Sequence, residues 1–215
     1  MPFCGIPKCA SGMIDPDDYQ RPGDPVAWSV VRDPLPRWLS GIFNDYREWQ
    51  HRAPIIRDFN DQSDPFRLSQ RLGKMNENHL TAQYTVLNMS YEWEEIEIWP
   101  IDQFDRARTE NGANWSRHLR EDPMSTPWVI PAGRWDIIQD FVNRWNDPDR
   151  VLTEWLKVYD RDCRMWHRVR THFDQTDEPL VLTRREYQSR RSWPAVQLYD
   201  SIDMTKIQET IAVPD

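Results

Sequence analysis

Ser29-Val-Val-Arg-Asp-Pro-Leu-Pro-Arg-Trp-Leu-Ser-Gly-Ile-Phe43 is the segment in which a predicted strand passes into a predicted helix. The apolar run from Val26 to Val31 that leads into this segment is typical of a buried strand. Asp33 is suited to cap a helix, and Pro34 to occupy its first turn. The apolar residues that follow recur at helical spacing and are Leu35, Trp38, Leu39, Ile42, Phe43 and Tyr46. The sequence therefore predicts a strand that turns directly into a helix, with Arg32 at the turn.

The predicted turn has the features of an anion-binding site. Free N–H groups and the helix dipole both point outward where a strand feeds the N-terminus of a helix. Arg32 adds a positive charge there, and Ser40 brings a hydroxyl group eight residues later. We therefore expect Arg32 and Ser40 to bind an anion; the plainer alternative is a capped, salt-bridged junction.

Composition favours one folded domain spanning residues 1–215. The mean hydropathy of −0.83 is low, but twelve tryptophans can each bury a large area, and we expect most of them in the core. The net charge of −8 argues against general affinity for nucleic acid or for anionic membranes.

Three cysteines without a CxxC motif predict free thiols in a reducing compartment. No apolar run approaches the roughly 18 residues of a membrane span, and the N-terminus has no signal-peptide pattern. These patterns predict a cytoplasmic protein that does not bind membranes. Neither Cys4 with Cys9 nor His167 with His172 has the spacing of a zinc site, so we expect no metal.

The remaining patterns predict a mixture of strands and helices. Short strands are predicted at 2–6, 84–88, 93–99 and 180–182, and helices at 64–73, 100–108, 134–145 and from Pro148 to about Phe173. Residues 15–25 are predicted to form an irregular loop. The expected fold is α/β, with a small, mainly parallel sheet flanked by helices.

Two segments resemble the sulfotransferases that use 3′-phosphoadenosine-5′-phosphosulfate (PAPS), in particular the carbohydrate-type branch. Ile6-Pro-Lys-Cys-Ala-Ser11 is similar to the family's 5′-phosphosulfate loop, and Val31-Arg-Asp-Pro-Leu-Pro-Arg-Trp-Leu-Ser-Gly41 to its 3′-phosphate segment. Asn78-His-Leu-Thr-Ala-Gln83 and Val158-Tyr-Asp-Arg-Asp-Cys-Arg-Met-Trp166 are weaker similarities, to a His-x-x-x-Gln segment and to a Tyr-x-x-Asp pattern on a late helix. The four segments follow the family's order, and the resemblance implies its P-loop-like core, reduced at the N-terminal side.

The resemblance also implies roles for individual residues. Arg32 and Ser40 would bind the 3′-phosphate of PAPS, Lys8 would stabilise the leaving group, and His79 would act as the base. The implied phosphosulfate loop consists of Lys8, Cys9, Ala10, Ser11 and Gly12. The implied reaction needs no metal and transfers a sulfuryl group to a hydroxyl of a carbohydrate or small molecule.

Other interpretations remain open. Gly12 stands where the family usually has a further hydroxyl residue, and Asp15, Asp17, Asp18 and Asp24 would repel a polyanion. A shortened, inactive family member that serves as a binding or assembly subunit, for instance of a cellular or viral particle, is therefore the main alternative. Lys8 could lie in a plain surface turn, and His79 in the core or at a helix end. Tyr159 and Asp162 are expected to be helix-packing residues.

Two further enzyme classes lack their motifs. A nucleotide kinase would need Gly-x-x-x-x-Gly-Lys-Ser/Thr, and an α/β-hydrolase triad would need Gly-x-Ser-x-Gly. The late arginine pairs, Arg184-Arg185 and Arg190-Arg191, are either a solvated face or a contact for acceptor or nucleotide.

Overall fold

A computed structural model describes residues 1–6, 9, 13–38, 81–116 and 148–199. The chain divides into two compact units. One unit comprises 1–34, 82–128 and 161–198, and the other comprises 35–81, 129–160 and 199–215. The prediction of a single domain stays a prediction.

The first unit is built on a three-stranded sheet in the order β1-β2-β3. The strands are β1 (Val26–Val31), β2 (Glu95–Pro100) and β3 (Leu180–Thr183). β1 pairs with β2 in parallel, whereas β3 runs antiparallel to β2. The α/β prediction is confirmed, but the sheet is mixed rather than mainly parallel. The predicted strand at 2–6 is reduced to Phe3, which forms isolated parallel bridges to Tyr19 and Trp28.

The described helices are α1 (Gln83–Met89), α2 (Phe104–Glu110), α3 (Pro148–Thr176) and α4 (Arg184–Gln188). Within the described ranges, three 3₁₀ turns lie at Pro16–Asp18, Ile101–Gln103 and Arg190–Ser192. Residues 34–38 are helical, as the junction after β1 predicts. The predicted helices at 64–73 and 134–145 lie outside the described residues.

Helix α1 contradicts the predicted strand at 84–88. Aromatic and β-branched residues favoured a strand, but Tyr84 and Leu87 bury one helical face, three residues apart. The carboxylate of Asp162 accepts the backbone N–H groups of Gln83 and Tyr84 at 2.6 and 2.8 Å. A cap supplied by a distant residue thus stabilises the start of a helix that local propensity does not indicate.

Aromatic side chains form much of the core, as the composition predicts. Trp28 lies 4.5 Å from the ring of Phe3 and 6.4 Å from that of Phe104. Six of the eight tryptophans among the described residues are buried. In the second unit, Trp155 stacks on Tyr159 at 4.9 Å and meets Trp38 edge-on at 6.2 Å. The packing role predicted for Tyr159 is therefore confirmed.

Two partly buried tyrosines make the stability of the first unit sensitive to alkaline pH. Burial raises the pKa of Tyr19 to about 12, and that of Tyr91, whose hydroxyl donates to Gly5, further above its ordinary value. Each folded pKa lies above the unfolded value of about 10, so the stabilisation is complete below that pH and is lost as the pH rises. We expect the urea midpoint to fall above pH about 10, and to fall less steeply in Tyr91→Phe. A wild-type midpoint that stays level there would contradict this.

Candidate functional site

The candidate site lies at the carboxyl end of β1. Every residue of β1 after Val26 is buried, and Arg32, which follows the strand directly, is only 5% exposed. The side-chain amide of Gln83 pairs with both backbone groups of Arg32. Its Oε1 accepts the Arg32 N–H at 2.9 Å, and its Nε2 donates to the Arg32 carbonyl at 2.8 Å. A side chain thus continues the backbone pairing of β1 one residue beyond the sheet.

Cys9 belongs to the same hydrogen-bond network. Its thiol donates to Oε1 of Gln83 at 3.1 Å, so Cys9 Sγ and the Arg32 backbone nitrogen share one acceptor oxygen. Both residues are buried. Cys9 is therefore held beside the backbone of Arg32.

Asp162 fixes Gln83 from the other side. This residue of α3 is fully buried, and its two carboxylate oxygens accept the first two N–H groups of α1. The positive end of the α1 dipole also favours a carboxylate at this position. Asp162 is a buried packing residue, as predicted, and it also sets the position of Gln83, which sequence reasoning missed.

A layer of aromatic rings supports α1. Tyr84 stacks on Tyr187 with ring centroids 4.8 Å apart and planes 8° apart. Trp193 meets Tyr84 edge-on at 6.3 Å, and the guanidinium of Arg161 lies 4.9 Å from the Tyr84 ring centroid. The hydroxyl of Tyr187 donates to the Tyr84 carbonyl at 3.1 Å, and burial raises its pKa well above the ordinary value. The network around Gln83 therefore rests on a closely packed base.

The network joins single residues from four distant segments of the chain. Each segment supplies one member, and the members are Cys9, Arg32, Gln83 and Asp162. The hydrogen-bonded pairs of this network are 51 to 79 positions apart in the chain. The other predicted site residues lie outside the described residues and are Lys8, Ala10, Ser11, Gly12, Ser40 and His79.

Two of the acidic residues before β1, Asp18 and Asp24, lie towards the end of the strand opposite Arg32. The carbonyl of Asp18 accepts the N–H of Phe3, which pairs with Trp28. Trp28 precedes Arg32 by four residues, a separation of about 13 Å along a strand. Asp24 lies two residues before β1 begins. The length of the strand thus separates the backbone of these two residues from Arg32.

The three cysteines, all among the described residues, are buried and form no disulfide bond. Burial raises the pKa of the Cys4 thiol well above its ordinary value, with a smaller opposing effect from Arg184. Within the described ranges, no three His, Cys, Asp or Glu side chains are grouped closely enough to hold a metal ion. No helix in those ranges combines the length and apolar character needed to cross a membrane.

Comparison with known protein families, curated proteins and solved structures found no match to this chain.

Proposed function

We propose that this protein transfers a sulfuryl group from PAPS to a hydroxyl of a carbohydrate or small-molecule acceptor. The observation that carries the proposal is the meeting of four sequence-distant segments in one buried network at the end of β1. Each segment resembles a sulfotransferase motif, and nothing in the local sequence requires the four to meet. Cysteines that form no disulfide bond are in keeping with a reducing compartment, for which we propose the cytoplasm.

The donor would be held by two groups of residues. Arg32 would bind the 3′-phosphate with paired, charge-assisted hydrogen bonds, with the Ser40 hydroxyl as a further donor. Residues 8–12 would bind the 5′-phosphosulfate through backbone N–H groups and the Lys8 ammonium. The bonds from Gln83 to the backbone of Arg32 fix this residue before any ligand arrives, which lowers the entropic cost of binding.

In the proposed transfer, His79 takes the proton of the acceptor hydroxyl as its oxygen attacks the sulfur atom. The new S–O bond forms as the bond from sulfur to the bridging oxygen breaks. The electron pair of that bond stays on the 5′-phosphate, where Lys8 offsets the developing charge. The products are a sulfate ester and 3′-phosphoadenosine-5′-phosphate (PAP).

Calorimetry with two nucleotides tests the role of Arg32. PAP and adenosine 5′-monophosphate (AMP) differ only in the 3′-phosphate, so their affinity ratio reports the contacts to that group. We expect the wild type to prefer PAP by about 100-fold, since a bidentate charged contact is worth about 3 kcal/mol. In Arg32→Ala and Arg32→Gln this preference should fall to nearly one while AMP is still bound.

Arg21→Ala is the matched control, because this arginine is exposed and pairs with Asp17 before β1. Its preference for PAP should equal that of the wild type. If the Arg32 variants still bind AMP, they are folded, and their lost preference for PAP reports the loss of the phosphate contact. A wild type that binds neither nucleotide would overturn the proposal and favour the inactive binding or assembly subunit.

A further inference from the structure

Residues on both sides of the implied phosphosulfate loop belong to the described part of the chain, and hydrogen bonds fix them in place. On the side before the loop, the Cys4 carbonyl accepts the hydroxyl of Ser29 at 2.6 Å. The Gly5 carbonyl accepts the hydroxyl of Tyr91 at 2.8 Å. The side after the loop begins at Met13 and is held by a different part of the chain.

Residues 114–116 pair in an antiparallel bridge with the side after the loop. The N–H of Ser116 donates to the carbonyl of Met13 at 2.7 Å. The carbonyl of Asn114 accepts the N–H of Asp15 at 2.9 Å. The backbone that leaves the loop is thus fixed within one residue of the point where the loop ends.

The side chain of Asp18 holds this pairing together, and its contacts to Asn114 are here called the Asp18 clamp. Oδ2 of Asp18 accepts the backbone N–H of Asn114 at 2.6 Å and the side-chain amide of the same residue at 3.1 Å. The carbonyl of Asp18 accepts the N–H of Phe3 at 2.8 Å, which ties the clamp to the side before the loop as well. One carboxylate therefore joins two segments that are 96 positions apart in the chain.

The segment that the clamp grips is itself anchored to α2. Arg108 donates to the carbonyl of Ala113 at 3.0 Å, and its guanidinium lies 4.5 Å from the ring centroid of Trp115. Trp115 also meets Phe104 edge-on at 5.8 Å, and Phe104 is fully buried in the core. The Asp18 clamp thus connects the end of the loop to a helix that is packed on the core.

We propose that Asp18 and Asn114 are positioning residues for the 5′-phosphosulfate end of the donor site. This inference rests on the proposed sulfotransferase function. The clamp holds the backbone at Met13 before any ligand arrives, which lowers the entropic cost of ordering the loop around the 5′-phosphate. The charge of the Asp18 carboxylate acts in the opposite direction, because it repels a polyanion. The two roles of Asp18 therefore predict opposite effects of its removal.

Calorimetry with PAP and adenosine 3′-monophosphate tests the inference, because these two nucleotides differ only in the 5′-phosphate. We expect the wild type to prefer PAP by about 100-fold. In Asp18→Ala this preference should fall about fivefold, and in Asp18→Asn, which keeps an acceptor oxygen, it should fall less. The preference for PAP over AMP, which reports the 3′-phosphate, should stay at the wild-type value. A general loss of structure would lower the affinity for all three nucleotides together and leave both preferences unchanged.

Asp17→Ala is the matched control. Asp17 lies in the same 3₁₀ turn as Asp18, and its exposed carboxylate pairs with Arg21 instead of Asn114. This variant removes the same charge and should keep both wild-type preferences. Tighter binding of PAP in Asp18→Ala than in the wild type would show that repulsion outweighs the clamp, and would overturn the inference.

Hydrogen exchange followed by mass spectrometry measures the clamp without any ligand. In Asp18→Ala the backbone amides of residues 13–15 and 114–116 should exchange faster, whereas those of β1 should exchange as in the wild type. Unchanged exchange at residues 13–15, or an unchanged preference for PAP over adenosine 3′-monophosphate, would overturn the inference and leave the sulfotransferase proposal standing. A wild type that binds none of the three nucleotides would overturn both.

Discussion

Replacing Asp162 by alanine is expected to lower the free energy of unfolding by about 3–5 kcal/mol. The carboxylate is fully buried and accepts the N–H groups of Gln83 and Tyr84. Its removal leaves both groups buried without an acceptor, and each orphaned donor costs about 1–3 kcal/mol. Urea unfolding followed by tryptophan fluorescence would measure the change.

Two further variants of α3 make this expectation specific. Asp162→Asn keeps one acceptor oxygen and should cost less than Asp162→Ala. Asp174→Ala removes a carboxylate of the same helix whose ion pair with Arg170 is half exposed, and should cost less than about 1 kcal/mol. Equal losses in Asp162→Ala and Asp174→Ala would show that Asp162 does not stabilise α1 in the way described.

The elements that the sequence predicted correctly are those with a strong local pattern. β1 is a continuous apolar run, and its predicted bounds agree with Val26–Val31. The alternating residues of 93–99 predicted β2, whose buried positions include Ile96 and Ile98. Helix α3 follows its apolar spacing over several turns. In each case the residues themselves carry the period of the element they form.

Helix α1 was predicted wrongly because its cause is not local. The seven residues of Gln83–Met89 include aromatic and β-branched side chains that are common in strands. What selects the helix is the cap from Asp162, 79 residues beyond Gln83. An interaction over that distance leaves no periodic signal, so pattern reasoning on one sequence cannot find it.

The candidate site could be predicted in part. The turn after β1 and the cation of Arg32 were visible in the sequence, since a strand, a cap and a proline stand together there. Gln83 entered only through the resemblance, whereas Asp162 was also expected to be a helix-packing residue. Their contacts join a side chain to a distant backbone, and many sequences place a glutamine or an aspartate in a helix without any such contact.

Gln83 is therefore the residue at which the fold and the proposed chemistry depend on each other. Its amide must donate and accept at once, because it contacts both the carbonyl and the N–H of Arg32. An apolar residue can do neither. A carboxylate can only accept, whereas a protonated carboxyl group can do both.

We accordingly expect Gln83→Glu to be destabilised at neutral pH and to approach wild-type stability in acid. The ionised carboxylate of this variant would face the Arg32 carbonyl without a proton to donate, which raises its folded pKa above the unfolded value of about 4.3. The stabilisation is then complete below that unfolded pKa and is lost as the pH rises, by up to about 1.4 kcal/mol per pH unit. Urea unfolding of variant and wild type from pH 4 to pH 7 would measure the difference.

Gln83→Met is the matched control, because it has a similar size and no titrating group. It should cost about 2–5 kcal/mol at every pH, since the two backbone groups of Arg32 lose their partners. A pH-independent difference in Gln83→Glu would mean that its carboxylate does not face the Arg32 carbonyl.

The amide of Gln83 also fixes the backbone that carries the Arg32 guanidinium. Gln83→Met should therefore weaken the binding of PAP more than the binding of AMP. If the ratio of the PAP affinity to the AMP affinity equals that of the wild type, Gln83 stabilises the end of β1 but does not contribute to nucleotide binding.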